Sequence, residues 1–239
     1  MTSESRTTDF AAKKPTLAIL PLGATEQHSK HLPLQTDTLI CEAVALALAN
    51  ELDAFCLPAL PFSVSHMHRG SAGSIWLRNR TLWLVIEDIA ASLVESGIED
   101  FLILNGHGGN QLLASVVQDL NLALPQLFSF TTNAYAGIYA SGLFADRGGL
   151  GHGDEFETSL VWYLRSDLID TSLFEDQPEV LPVDALRYAP FAKISRLTHT
   201  GQPTLASPEN GEKAFAHAVT TCRQAVASAL AVKRRVRPQ

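Results

Sequence analysis

The sequence predicts a single α/β domain built on a mostly parallel sheet. Short continuous apolar runs, typical of strands covered on both faces, alternate along the chain with longer segments of helical spacing. The chain has 239 residues, of which 46% are hydrophobic and 18% charged, and this composition is typical of an ordinary globular protein. No internal repeat or low-complexity linker interrupts the alternation. We therefore expect the strands and helices to share one sheet and one domain.

The first half of the chain supplies two predicted strands and two predicted helices. The run TLAILPL at 16–22 ends at a glycine and predicts a buried strand. Good helix formers at helical spacing predict a helix over 37–50. An apolar run stopped by proline predicts a second strand over 54–60. An amphipathic helix is predicted over 79–96, where the following glycine is a usual helix stop.

The second half continues the same alternation. The run DFLIL predicts a strand over 100–104, and a further strand is predicted over 127–134. Helical spacing predicts helices over 111–122, 155–165 and 212–232. Residues 137–153 are rich in glycine and predict a loop, whereas 171–208, with five prolines, fits no regular element.

The ends of the chain are predicted to lie outside the domain, which spans 15–232. Residues 1–14 are polar and predict a flexible N-terminus without a signal peptide, and 233–239 predict a frayed basic tail. The net charge of −7 argues against nucleic acid or an anionic membrane as the main partner. No run approaches the roughly 20 apolar residues of a membrane span. Three cysteines without metal-site spacing indicate a reducing compartment, so a cytoplasmic location is expected.

Histidines concentrate in the loops that follow the predicted strands. In parallel sheets, reactive groups lie beyond the carboxyl ends of the strands. Six of the eight histidines lie in or next to four such loops, at positions 28, 31, 66, 68, 107 and 152. The tryptophans lie in or near apolar segments and are expected in the core. The loops therefore hold the candidate functional residues.

Two of these loops, 23–37 and 105–110, contain candidate metal ligands. Glu26 and His28 are two residues apart, so their side chains share one side of an extended segment, although a solvated loop would look the same. Asp37 could bridge two ions or simply cap a helix. His107 is framed by glycines, which allow a ligand to approach the backbone closely. Such a loop could also cradle phosphate, but no Walker lysine and no dinucleotide fingerprint accompany it.

The fourth loop contains His152 and Glu155, three residues apart at a helix start, so both can face one cavity. Glu157 is expected to turn away from it, because two further residues rotate a helix by about 200°. An acidic residue in a first turn is also favoured by the helix dipole alone.

With its loops in this order, the sequence resembles the creatininase (creatinine amidohydrolase) family. The matching segments are PLGATEQH at 21–28, HLPLQTD at 31–37, NGHGGN at 105–110 and HGDEFETS at 152–159, with a looser match at 68–77. The resemblance implies a three-layer α/β/α domain and two divalent metal ions per subunit, zinc, manganese or iron. It implies that Glu26 and His107 hold one ion, His28 holds the other, and Asp37 bridges them. It also implies His152 as the proton carrier, and a homo-oligomer, a hexamer built as a trimer of dimers.

The sequence departs from creatininases around this metal set. Gly109 stands where those enzymes carry a metal-binding glutamate, and 130–152 contains none of the tryptophans that enclose creatinine. Because the second ion would otherwise have too few ligands, we predict that Glu155 completes its site and that Gly109→Glu partly rescues Glu155→Gln. His68, Gly108 and Gly109 are expected to bind the substrate.

The expected function is metal-dependent hydrolysis of a cyclic, formyl or peptide-like C–N amide bond in a small molecule. Family relatives include a formylaminopyrimidine deformylase and the peptidase that trims the mycofactocin precursor, and either activity is an alternative. A non-catalytic metal- or ligand-binding protein that kept the fold is a further alternative, and a nucleotide-binding enzyme is a weaker one.

Overall fold

A four-stranded parallel sheet forms the centre of the protein, whose computed structural model describes residues 1–145, 151–177 and 183–236. Its strands are β1 (Leu17–Leu22), β2 (Phe55–Cys56), β3 (Asp100–Asn105) and β4 (Phe128–Asn133). They lie in the order β2-β1-β3-β4, and the expected parallel sheet is confirmed. The strand predicted over 54–60 is shorter than expected, because Pro58 has no N–H for the ladder.

Helices cover both faces of the sheet, which confirms the three-layer α/β/α architecture. On one face, α2 (Thr36–Glu51) and α7 (Pro208–Val236) pack on Leu17 and Ile19 of β1. On the other face, α3 (Asn79–Glu95) and α4 (Leu113–Ala123) pack on the alternate residues of the same strand, including Leu20. The two cores follow from the alternation of side chains along a strand.

Helix α5 (Glu155–Leu164) lies against α2 and α7 and is buried on all sides over residues 155–161. Asp154 is its N-cap, and one carboxylate oxygen accepts hydrogen bonds from the backbone N–H groups of Phe156 and Glu157, each at 3.1 Å. Phe156 and Leu160, one turn apart, anchor the helix in a third apolar cluster. The short helix α6 (Phe191–Ile194) precedes α7.

The N-terminal segment is more ordered than the sequence suggests. Residues 1–14, expected to be flexible, include helix α1 (Thr7–Lys13). Phe10 packs edge-on against Phe55, with 5.2 Å between ring centroids, and the terminal amine of Met1 donates to the Ala54 carbonyl at 3.0 Å. The polar composition gave no sign of these two contacts, which hold the segment against β2.

The C-terminal helix is also longer than expected. Helix α7 continues to Val236, past the predicted end at residue 232, and Lys233 donates to Asp100 at 2.7 Å. The rest of the predicted tail, 237–239, lies outside the described residues, as does 146–150 in the predicted loop 137–153. Across the part of the chain that is described, no helix combines the length and apolar character needed to cross a bilayer.

Candidate metal centre

The candidate ligands meet at the carboxyl edge of the sheet. Glu26 and His28 follow β1, Asp37 lies in the first turn of α2, His107 follows β3, and Glu157 lies in the first turn of α5. All five side chains are buried. Glu26, Asp37, His107 and Glu157 line a cavity of about 810 Å³. Four segments of the chain thus converge at this edge of the sheet.

Asp37 lies between two histidines. Its Oδ1 is 3.3 Å from His28 Nε2, and its Oδ2 is 2.9 Å from His107 Nδ1. Glu26 lies on the His107 side, with Oε1 3.4 Å from His107 Nδ1. Glu157 lies on the His28 side, with Oε2 3.6 Å from His28 Nε2. The two oxygens of Asp37 therefore face two separate groups of candidate ligands.

Both histidines are oriented as metal ligands usually are. His28 Nδ1 lies 3.1 Å from the backbone carbonyl of Glu26, and His107 Nε2 lies 3.2 Å from that of Val64. A carbonyl only accepts, so each of these nitrogens carries the proton in the neutral ring. The opposite nitrogen then keeps its lone pair and points to Asp37. Hydrogen bonds of this kind fix the tautomer of metal-binding histidines.

Several candidate ligand atoms in this cluster lack a hydrogen bond. Among the described side chains, the buried atoms without a partner include Glu26 Oε2, His28 Nε2, Asp37 Oδ2 and His68 Nε2. Buried polar atoms without partners are rare in folded proteins and call for an explanation such as a bound ion. Three groups of ligand atoms here lie within 4.8 Å of one another, among them Glu26–His28–Asp37 and His28–His152–Glu157. The chemistry of this donor set, carboxylate and imidazole, fits a divalent metal ion.

The buried charges of the cluster shift one another's pKa values. Burial alone would lower the pKa of His28, but Glu157 and Asp37 raise it to about 10. Burial also opposes protonation of His107, yet Glu26 and Asp37 raise its pKa to about 9. Burial, reinforced by Asp37 and Asp154, holds the pKa of Glu157 well above its usual value. Three buried carboxylates at close range require compensating positive charge.

Glu157, and not Glu155, belongs to this cluster, which corrects the expectation from helix rotation. Glu157 lines the cavity, whereas Glu155, which is also buried, is not among the lining residues. Glu157 is held by the backbone N–H of Gly153, which donates to its Oε2 at 2.6 Å. Gly153 has φ +65°, a conformation that favours glycine. The expectation placed the cavity on the face of α5 that carries Glu155. Residues 155–161 are buried on all sides of the helix, and Glu157, its third residue, is the one that faces the cavity.

The backbone around Gly109 leaves no room for the glutamate that creatininases carry at this position. A Cβ built there would lie 2.2 Å from the Val64 carbonyl oxygen and 2.3 Å from His107 Nε2. The expectation that Gly109→Glu restores a ligand is therefore wrong for this backbone. A Cβ built at Gly108 would meet no atom within 4 Å, and both glycines line the cavity. Their role in substrate binding remains a prediction.

His152 and His68 lie in the cavity wall and share a partner, Gln27. The Gln27 amide is oriented by two backbone groups: its oxygen accepts from Ser29 N–H at 3.0 Å, and its nitrogen donates to the Thr198 carbonyl at 2.6 Å. The same nitrogen lies 2.9 Å from His68 Nδ1 and 3.0 Å from His152 Nε2. A glutamine amide nitrogen has two hydrogens and only donates, so one hydrogen remains beyond Thr198 for these two ring nitrogens.

The opposite nitrogens of these two rings face Glu26. His68 Nε2 is 3.2 Å and His152 Nδ1 is 3.7 Å from Glu26 Oε1. Burial, together with the neighbouring histidines, lowers the pKa of His152 well below its usual value. His152 is therefore neutral in this environment.

Sequence reasoning missed several residues of the cavity, including three with aromatic side chains. Tyr135 and Tyr139 line it, and Trp76, expected in the core, lines it with its side chain 42% exposed. Tyr135 follows β4, so its place at the sheet edge was a usable signal. Gln27 was inside the recognised first segment, but only the fold brings His68, His152 and Thr198 to it.

The comparisons with known proteins agree with this geometry. The family described as creatinine amidohydrolase matches residues 3–226. The chain belongs to the creatininase family. It is 30% identical to the mycofactocin precursor peptide peptidase of Mycobacterium ulcerans (strain Agy99), over 87% of this chain and 84% of that protein. It is 28% identical to the creatinine amidohydrolase of Pseudomonas putida, over 89% and 87% of the two chains.

Solved creatininase structures share the fold. A manganese form of creatininase superposes with a TM-score of 0.80 at 23% identity, covering 100% of this chain and 99% of that one. A zinc–zinc form of creatininase gives a TM-score of 0.81 at 24% identity, covering 100% and 98% of the two chains. The homologues in this family are hydrolases, and the candidate metal cluster of this chain lies within the matched region.

Proposed function

We propose that this creatininase-family protein is a metal-dependent amidohydrolase that cleaves a C–N amide bond of a small molecule. The observation that carries the proposal is Asp37, whose two buried oxygens face His28 and His107 at 3.3 and 2.9 Å. A carboxylate placed in this way can be shared by two divalent ions. Zinc, manganese and iron all suit these ligands, and manganese and zinc occur in the solved creatininases.

The residues divide into two sets around Asp37. Glu26 and His107 would hold one ion, and His28 with Glu157 would hold the other. Three carboxylates balance most of the charge of two divalent ions, which explains how this acidic group is tolerated in the interior. When bound, the ions acidify a water molecule and polarise the substrate carbonyl.

His152 is the proposed proton carrier. Hydrolysis adds water to the carbonyl carbon, breaks the C–N bond and puts a proton on the leaving nitrogen, giving a carboxylic acid and an amine. His152 is neutral, and its Nδ1 faces the cluster while its Nε2 lies 3.0 Å from the Gln27 amide nitrogen. In the tautomer whose Nδ1 keeps its lone pair, His152 can accept the proton released by the water and pass it to the nitrogen.

The substrate class follows from the site and from the relatives. The mycofactocin peptidase and the creatinine amidohydrolase are named for a peptide and a cyclic amide, respectively. We extend this to a cyclic, formyl or peptide-like amide for this chain, with His68 and the two glycines contacting it. Assembly as a homo-oligomer and a cytoplasmic location remain predictions.

The test is metal analysis combined with a panel of cyclic, formyl and dipeptide amides. Purified protein reconstituted with zinc or manganese should retain two ions per subunit and hydrolyse at least one of these classes. Asp37→Asn should lose both ions and turnover together, because one residue serves both sites. Glu42→Gln, an exposed change on the same helix, is the matched control and should keep both.

Other outcomes would lead to different conclusions. Two tight ions in Asp37→Asn would reduce Asp37 to a helix cap. Bound metal without turnover on any amide would favour a non-catalytic binding protein. Stabilisation by nucleotides that persists after metal removal would favour a nucleotide-binding role for the glycine loop.

A further inference from the structure

The Tyr135 hydroxyl is buried in the cavity wall and has no hydrogen-bond partner within residues 1–145, 151–177 and 183–236. The residue is held firmly in place after β4. Its backbone N–H donates to Asn133 Oδ1 at 2.8 Å, and its ring packs edge-on against Phe156 with 5.2 Å between centroids. The hydroxyl is thus fixed at a defined point of the cavity without a structural bond of its own.

A neighbouring tyrosine in the same cavity wall has a hydroxyl with a structural role. Tyr139 also packs on Phe156, but its hydroxyl donates to Asp154 Oδ2 at 2.7 Å and supports the cap of α5. At Tyr135, phenylalanine would fill the same space without the cost of burying an unpaired polar atom. The hydroxyl therefore indicates a ligand that the cavity is shaped to receive.

The chemistry of this hydroxyl is that of a donor. Burial, reinforced by the charges of Asp37 and Glu157, raises its pKa well above the usual value for tyrosine. It therefore stays protonated near neutral pH. Tyr135 lines the same cavity as Asp37 and Glu157, where the reacting carbonyl of a substrate would lie.

We propose that Tyr135 is a catalytic residue whose hydroxyl donates a hydrogen bond to the carbonyl oxygen of the bound amide. The bond strengthens as water adds to the carbonyl carbon and negative charge develops on that oxygen. No proton leaves the tyrosine, so the overall balance of hydrolysis is unchanged. This inference rests on the proposed amidohydrolase function, and it adds a donor supplied by the protein itself to the stabilisation of the transition state.

Tyr135→Phe is the decisive variant, because it removes one oxygen atom and keeps the ring. Loss of one such donor typically lowers kcat by about 10² to 10³-fold. We expect that decrease in kcat with little change in KM, with metal content unchanged. The thermal midpoint should stay equal or rise, because the unpaired hydroxyl is gone. Tyr163→Phe, at a partly exposed position outside the cavity lining, is the control and should match the wild type in every measurement.

A second measurement does not depend on turnover. Acetate carries the carboxylate that amide hydrolysis produces, so calorimetry of acetate binding to the metal-loaded protein probes the same hydrogen bond. Tyr135→Phe should bind acetate about tenfold more weakly, as expected for one lost hydrogen bond to a charged group.

The outcomes separate this inference from the proposed function. Unchanged kcat and unchanged acetate affinity in Tyr135→Phe would overturn the role of Tyr135 while leaving the hydrolase intact. A fall in thermal midpoint together with metal loss would also overturn it, since the hydroxyl would then be structural. If the wild type hydrolyses no amide, the proposed function fails, and weaker acetate binding by the variant would still support the donor.

Discussion

Glu157→Gln should remove one metal ion per subunit and leave the fold intact. Glu157 Oε2 is 3.6 Å from His28 Nε2. A unit charge at that distance is worth about 4 to 5 kcal/mol at an effective dielectric constant of about 20. An ion held by His28 would lose at least this interaction, which corresponds to about 10³-fold in affinity. Glutamine keeps an oxygen for the Gly153 N–H, so the start of α5 should be preserved.

The measurement is metal stoichiometry per subunit after dialysis against dilute chelator, with circular dichroism as the check on folding. Glu155→Gln is the matched control, two residues away on the same buried helix. It should retain both ions, because Glu155 is not among the residues that line the cavity. Two ions in Glu157→Gln, or the loss of one ion in Glu155→Gln, would refute the assignment and restore the expectation drawn from helix rotation.

Three further predictions follow from the site and its surroundings. His152→Ala should keep its metal and lose about 10² to 10⁴-fold in turnover, whereas loss of metal would make His152 a ligand. Gly109→Ala should lower the free energy of unfolding by about 1 to 3 kcal/mol through its clash with the Val64 carbonyl. Gly108→Ala should be tolerated, and equal denaturation midpoints for the two would contradict the packing argument. Burial, with the charges of His199 and His28, lowers the pKa of His31 to about 4. As the pH falls, His31 is therefore protonated in the unfolded chain before it is protonated in the folded protein. The free energy of unfolding should decrease as pH drops from about 6.5 toward 4, by up to about 3 kcal/mol. The wild type should therefore have a lower urea midpoint at pH 5 than at pH 7, and His31→Gln should make this difference smaller. A difference as large as that of the wild type would contradict the role of His31.

The sequence by itself determined the order of the elements and four of the five side chains of the candidate metal cluster. Apolar runs identified the strands β1, β3 and β4, because a strand covered on both faces has no polar positions. The spacing of Glu26, His28, Asp37 and His107 within recognisable segments identified four of the clustered side chains. Each lies directly after a strand or at a helix start, where the parallel topology forces them to one edge of the sheet.

Only the tertiary structure decided which carboxylate of α5 joins them. The sequence offered Glu155 and Glu157, and rotation about an isolated helix favoured the wrong one. Asp154, as N-cap, and Phe156, in the apolar cluster, set the rotation of α5 so that its third residue faces His28. Local pattern fixes the relative angle between two residues, but the absolute rotation of a helix depends on what packs around it.

The same reason explains the other differences. The packing of Tyr135 on Phe156, the Gln27 contacts and the close approach of Val64 to Gly109 all join segments far apart in the chain. The energies that place them come from burial and from pairing of polar atoms across the sheet edge. Such contacts leave no periodic signal in the sequence, because each is made once, between residues that only folding brings together.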